Sequence, residues 1–202
     1  MTTYAIVDLS NLFGRVRHVV TGSIYDKAGM AILIAFRSIR KLYREHKIDH
    51  VVFAVDNGSW RYGVYPQYKA GRKAARLKMK PSDQEEHEVF RDTLNAVIEY
   101  LSEKTRCTVL NCKNIEADDM VARWTQIHPN DRHIIVSMDS DFLQLLSPTI
   151  SLYDGVNDLT IDQTGVRDKA GKTLAFTVAT KDGKLKVGKP DPNFIPESEW
   201  WR

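Results

Sequence analysis

Three short apolar runs in this chain end on aspartate, and no other feature restricts its fold as much. AIV leads into Asp8, VVFAV into Asp56, and IIVS is followed at once by Met138 and Asp139. Residues 4–9, 51–55, 107–110 and 133–136 read as buried strands, because each is continuously apolar rather than alternating. Between them lie patterns with helical spacing. Residues 26–45 carry Met30, Ile34, Ile39 and Leu42, and a second stripe runs through Val89, Leu94, Val97, Ile98 and Leu101. Ser82 or Asp83 can cap that second helix, and residues 115–127 give a third, shorter one. Fully apolar strands alternating with helices predict an α/β fold, a mostly parallel central sheet with helices on both faces.

Past residue 150 the pattern changes. Residues 150–153, 159–161, 173–180 and 184–187 look like strands and hairpins punctuated by Gly and Asp, which predicts a C-terminal β-hairpin extension. We therefore divide the 202 residues into a domain over 1–163 and a hairpin extension with tail over 164–202. The tail, KPDPNFIPESEWWR, ends on Trp200 and Trp201. A globular domain rarely finishes on exposed tryptophans, so they are expected either to pack back or to continue into a longer parent chain.

In open α/β sheets, ligand sites lie beyond the carboxyl ends of the strands. Asp8, Asp56 and Asp139 occupy such ends, Asp141 follows two residues on, and Glu116, Asp118 and Asp119 open the helix after the third strand. The topology predicts that all seven share one rim. Crowded ionised carboxylates need compensating charge, and an all-oxygen set suits Mg²⁺ or Mn²⁺ rather than zinc or copper. Two such ions can activate water and steady the leaving oxygen in phosphodiester hydrolysis. Singly, each acid has a plain alternative as a turn former or as a partner of a helix dipole. The joint placement is what points to a metal site.

The net charge of +3 says little, but its distribution says more. Between Asp56 and Asp83 there is no acid, while Arg61, Lys69, Arg72, Lys73, Arg76, Lys78 and Lys80 all fall there. Trp60, Tyr62, Tyr65 and Tyr68 are interleaved with these cations. Cations for phosphates beside aromatics for bases suit a single strand or junction, so Arg61, Tyr62, Tyr68, Lys69, Arg72, Lys73 and Arg76 are candidate nucleic-acid contacts. The Ala/Arg/Lys-rich half is expected to be helical once DNA is bound. The alternative is a solvated basic loop.

Other classes fit less well. GKLKVGK (183–189) matches most of a phosphate-binding loop, but Pro190 stands where Ser or Thr would hold Mg²⁺, so a hairpin is expected. An aspartyl phosphatase would want an acid two residues after Asp8, where Ser10 stands. Cys107 and Cys112 lack zinc spacing and read as reduced thiols, and the six histidines show no ligand spacing. No apolar stretch is long enough to span a bilayer, and MTTYAIVDLS lacks the features of a signal peptide, so a cytoplasmic protein with no membrane partner is expected.

These residues also form a pattern. VDLSN (7–11), FAVD (53–56), WR…YPQYKAGR (60–72), IEADD (115–119) and SMDSDFLQL (137–145) resemble, in order, the motifs of the phage and bacterial 5′ nucleases. This is the flap endonuclease family that includes phage ribonuclease H-type exonucleases and the 5′ nuclease domain of DNA polymerase I. The resemblance implies a PIN-like fold with a basic arch over 57–82, and removal of RNA primers or 5′ flaps by metal-dependent 5′–3′ exonuclease or flap endonuclease activity in DNA replication. It implies that Asp8, Asp56, Glu116, Asp118 and Asp139 serve the first metal, and Asp119 and Asp141 the second. Lys69 and Arg72 would steer the scissile phosphate, with Tyr68 and Arg61 as lesser contributors. The implied partner is DNA or an RNA–DNA hybrid with a 5′ flap or single-stranded end. The family's pattern continues with a G-D-x-x-D-N element that has no counterpart in these residues, and Asp182, Asp191 and Glu197 have the wrong context to replace it. The alternative expectation is therefore an incomplete nucleic-acid-binding subunit whose metal site a second chain finishes.

Overall fold

The structure, a computed structural model, describes residues 1–155, 157–180 and 185–188, without the side chains of residues 15–19, 73, 77, 179 and 185. The tail with its two tryptophans, the three carboxylates Asp182, Asp191 and Glu197, and residues 183, 184 and 189 of the GKLKVGK stretch lie outside the described residues.

Strands β1 (Thr3–Asp8), β2 (His50–Ala54), β3 (Thr108–Leu110), β4 (Arg132–Val136) and β5 (Ile150–Asp154) pair in parallel in the order β3-β2-β1-β4-β5. Ala5, Ile6, Val7, Val51, Val52, Phe53, Ile134 and Ile135 are sealed from solvent. Burial on both faces of the sheet explains why these runs do not alternate. The register sets the level at which each strand ends: Asp8 pairs across from Ala54, and Val7 from Val136. The chain therefore leaves all three strands at one level, and Asp8, Asp56 and Asp139 emerge at a common edge.

Two cores flank the sheet. On one face, α1 (Leu9–Val19), α2 (Ile24–His46) and α5 (Pro81–Lys104) cover Ala5, Val7, Val51 and Phe53. On the other, α6 (Ala117–Ile127) and a 3-10 turn (Ser140–Leu145) cover Ile6, Val52, Ala54 and Ile135. The helix expected at 26–45 begins two residues earlier, because Ser23 and Asp26 form a reciprocal capping box. The expected cap of α5 at Ser82 or Asp83 is corrected. Lys80 is the N-cap and Pro81 the first helical residue, since proline's fixed φ suits that position and moves the start upstream.

Beyond β5 the sheet continues antiparallel through β6 (Leu159–Ile161), β7 (Gly165–Arg167), β8 (Thr173–Ala179) and β9 (Leu185–Val187). The sequence pattern does not reveal β7, which is three residues with one bulky apolar side chain. Gly165 is required there, because a Cβ would collide with the carbonyl oxygen of Ala175. The hairpins extend the sheet, so the boundary expected at 163/164 falls between two hydrogen-bonded strands. Cys107 and Cys112 are free thiols. No helix among the described residues is long and apolar enough to cross a membrane.

Candidate metal centre and nucleic-acid groove

Each strand-end aspartate is held by a backbone N–H. Asp8, 5% exposed, accepts from Asn11 at 2.9 Å as α1 begins. Asp56 accepts from Ala117 at 2.8 Å and so caps α6 from a neighbouring strand, while its own N–H donates to Ser10 at 3.1 Å. Asp139 accepts from Asp141 at 3.0 Å and opens the 3-10 turn. These bonds aim the carboxyl groups across the sheet edge. One oxygen each from Asp118, Asp139 and Asp141 lies within 4.8 Å of the others.

This crowding shows in the acidities. Burial, and then the charges of Asp56, Asp118 and Asp139, push Asp8 up to about 7 against the pull of the Asn11 bond. Burial, and then Asp139 and Asp56, raise Asp118 to about 6. Five carboxylates thus meet with too little positive charge, and their donors are all oxygen. That set fits hard divalent cations.

The other two acids differ. Glu116, 6% exposed, and Asp119 face the basic segment. Glu116 accepts from Ser59 at 3.1 Å, Arg61 at 2.6 Å, Tyr68 at 3.0 Å, and from the Lys69 ammonium. Asp119 takes a two-pronged pair from Arg61 at 2.7 and 2.8 Å and the indole N–H of Trp60 at 3.0 Å. Burial works to raise Glu116, but the bonds from Lys69, Tyr68 and Ser59 outweigh it and hold it low. The Arg61 bonds hold Asp119 low. The seven acids expected on one crowded rim therefore divide into five that crowd and two that are paired.

The basic segment folds into α3 (Arg61–Val64) and α4 (Ala70–Leu77). Helix α4 lies in the Ala/Arg/Lys-rich half, where helix is expected. Lys69 precedes α4 in a left-handed conformation (φ 50°). A groove of about 920 Å³ runs from Asp56 and Glu116 past Tyr62, Tyr68 and Lys69 to Arg72 and Arg76. Among the described residues, no carboxylate pairs with Arg72 or Arg76. The side chain of Lys73 is outside the described residues. Tyr62 packs its edge on Tyr68, 5.7 Å between centroids. Trp60 is not among the groove-lining side chains: its indole is committed to Asp119 and its face to Arg61, 4.9 Å away. Sequence reasoning misses Ser10 and Ser59. A lone serine gives no signal, although Ser59 beside the WR dipeptide marks where the segment turns toward α6.

Comparison with known proteins gives a family and a fold. Residues 3–171 match the family model described as 5′-3′ exonuclease, N-terminal resolvase-like domain. Flap endonuclease Xni of Psychromonas ingrahamii is 30% identical over 183 residues, covering 86% of this chain and 64% of the relative. The Shewanella loihica protein of that name is 31% identical over 165 residues, covering 80% and 59%. The chain therefore spans about three fifths of the length of these relatives. Among solved structures, phage T5 5′-exonuclease with bound zinc superposes with a TM-score of 0.69 at 21% identity, over 80% of this chain and 58% of that one. A T5 flap endonuclease variant in a pseudo-enzyme-product complex with DNA and metal ions gives 0.60 at 20% identity, over 75% and 54%.

Proposed function

Because this chain belongs to the 5′-3′ exonuclease, N-terminal resolvase-like domain family, we propose that it is a structure-selective 5′ nuclease. It hydrolyses phosphodiester bonds in 5′ flaps or RNA primers of DNA, with two Mg²⁺ or Mn²⁺ ions. The observation that carries this reading is a groove lined by Arg72 and Arg76, which have no carboxylate partner among the described residues, that reaches Asp56 at the edge of a carboxylate cluster formed with Asp8, Asp118, Asp139 and Asp141. Phosphate charge and metal charge are what those two surfaces respectively need.

We assign the ions to Asp118, Asp139 and Asp141, with Asp8 and Asp56 beside them directly or through water. Bound there, they would polarise the phosphate and make an attacking water more acidic. The chain's own residues do the remaining work. Arg72 and Arg76 hold the nucleic-acid backbone, and Tyr62 and Tyr68 offer aromatic surface at the groove wall. Lys69, fixed between the groove and Glu116, offsets charge gathering on the scissile phosphate. Backbone bonds at Asp8, Asp56 and Asp139 keep the carboxyl groups preorganised. Relatives that carry the flap endonuclease name favour this reading over a non-catalytic subunit completed by a second chain.

The test is cleavage of a 5′-labelled flap by the purified chain, with Mg²⁺ or Mn²⁺ and with a chelator. Metal-dependent release of the flap is expected. Binding of the flap without release in either metal would overturn the proposal.

A further inference from the structure

The resemblance assigns Asp119 to a second metal, yet its contacts lie elsewhere. Asp118, Asp139 and Asp141 converge, and Asp119 is not among them. Both Asp119 oxygens are engaged by the Arg61 fork, at 2.7 and 2.8 Å, and one of them also by Trp60. Bidentate Arg–carboxylate pairs fix geometry as well as supply energy. A metal at Asp119 would have to displace that fork.

The clamped Arg61 is located from every side. Its guanidinium lies over Trp60 at 4.9 Å and Tyr68 at 5.7 Å. Its backbone N–H donates to the buried Ser59 hydroxyl at 3.2 Å, and that hydroxyl donates to Glu116 at 3.1 Å. Arg61 also reaches Glu116 at 2.6 Å, and the other oxygen of Glu116 receives Lys69. Three consecutive residues, Ser59, Trp60 and Arg61, thus fasten the basic segment to the first turn of α6.

We infer that Asp119 is a positioning residue and not a metal ligand: with Trp60 it clamps Arg61, and through Arg61 and Glu116 it fixes Lys69 at the groove. The part played by Lys69 rests on the nuclease reading; the absence of metal ligation by Asp119 does not. The chain of contacts predicts coupling between positions 119 and 69, which share no direct bond.

The experiment has two arms on the full chain. Calorimetric titration with Mn²⁺ compares wild type, Asp118→Asn and Asp119→Asn. Asp118→Asn should weaken binding by about 10-fold or more, while Asp119→Asn stays within about threefold of wild type. Single-turnover cleavage at saturating metal then runs a double-mutant cycle. Lys69→Ala should slow cleavage by about 10²-fold and Asp119→Asn by about 10-fold, and the double variant should be no slower than Lys69→Ala. Multiplicative effects would overturn the inference, as would loss of Mn²⁺ binding in Asp119→Asn. Should Asp119→Asn fail to fold, Trp60→Phe removes only the indole N–H and enters the cycle in its place, with the same non-additivity expected. A wild type that binds Mn²⁺ but does not cleave counts against the nuclease reading; the Mn²⁺ arm then decides the inference alone.

Discussion

Asp118 and Asp119 are neighbours on the first turn of one helix, and they have opposite chemistry. Asp118 faces Asp139 and Asp141, and burial with nearby carboxylate charge lifts its pKa to about 6. Asp119, one residue on and so about 100° around the helix, meets the guanidinium of Arg61 and is held low. The difference extends to their companions. Asp8 and Asp118 belong to a group whose charge the protein leaves unbalanced, and Glu116 and Asp119 to one balanced by the basic segment. Unbalanced carboxylates create demand for an external cation. Balanced ones fasten a cation-bearing segment in place. A run of acids in sequence can therefore serve two ends, and only the direction each side chain takes separates them.

The largest effect that would break this contrast lies in the unbalanced group. Asp139→Asn should lower flap cleavage by at least about 10²-fold while flap affinity in chelator stays near wild type. Persistent cleavage in that variant would mean the ions sit elsewhere.

The two groups should also respond to pH with opposite sign. Asp8, raised to about 7 in the folded chain from an ordinary value of 3.8, makes the folded state bind more protons across that window. Its ionisation therefore removes stability as pH rises from about 4 through 7. Asp119 and Glu116, held low, contribute stability above the ordinary carboxylate range that is lost on acidification below it. Urea unfolding in chelator isolates the first of these. Asp8→Asn should gain on wild type by on the order of 2–4 kcal/mol more at pH 8 than at pH 5, and saturating Mg²⁺ should erase the gain. An equal gain at both pH values would show that burial and the neighbouring carboxylates do not raise Asp8.

Arg61→Ala probes the balanced group. It removes three charge-assisted bonds but leaves Lys69, Tyr68 and Ser59 on Glu116. Arg61 and Asp119 are about a third exposed, so water screens the pair, and a loss of about 1–2 kcal/mol is expected from the urea midpoint. A neutral substitution would mean that the segment is fastened chiefly by its aromatic contacts.

Much of this is legible in the sequence, for physical reasons that also mark the limits. β1, β2 and β4 are readable because burial on both faces leaves no polar position to blur the run. Their ends on Asp8, Asp56 and Asp139 come with them, since a parallel sheet brings successive strands out at one edge. The basic segment is readable as a charge block. Its Ala/Arg/Lys-rich half is readable as a candidate helix, and α4 occupies it. β7 is too short to carry a period. The division of the acids is hidden, because the partners of Glu116 and Asp119 come from residues 59–69, some fifty positions away. The pairing depends on how the basic segment returns to α6, which no local pattern records.

The smallest effect concerns the cations and sharpens the contrast from their side. Arg61 is occupied by Glu116 and Asp119, whereas Arg76 lines the groove without a carboxylate partner among the described residues. A cation already paired inside the protein displaces few counterions when nucleic acid binds, while a free one displaces close to one. The slope of log affinity against log salt, measured in chelator on an uncleaved flap, should fall by about 0.7–0.9 for Arg76→Ala. Arg61→Ala should leave that slope near the wild-type value even where it slows cleavage. Equal changes for the two would show that the Arg61 pairs open when nucleic acid enters the groove, making the clasp a feature of the free protein alone.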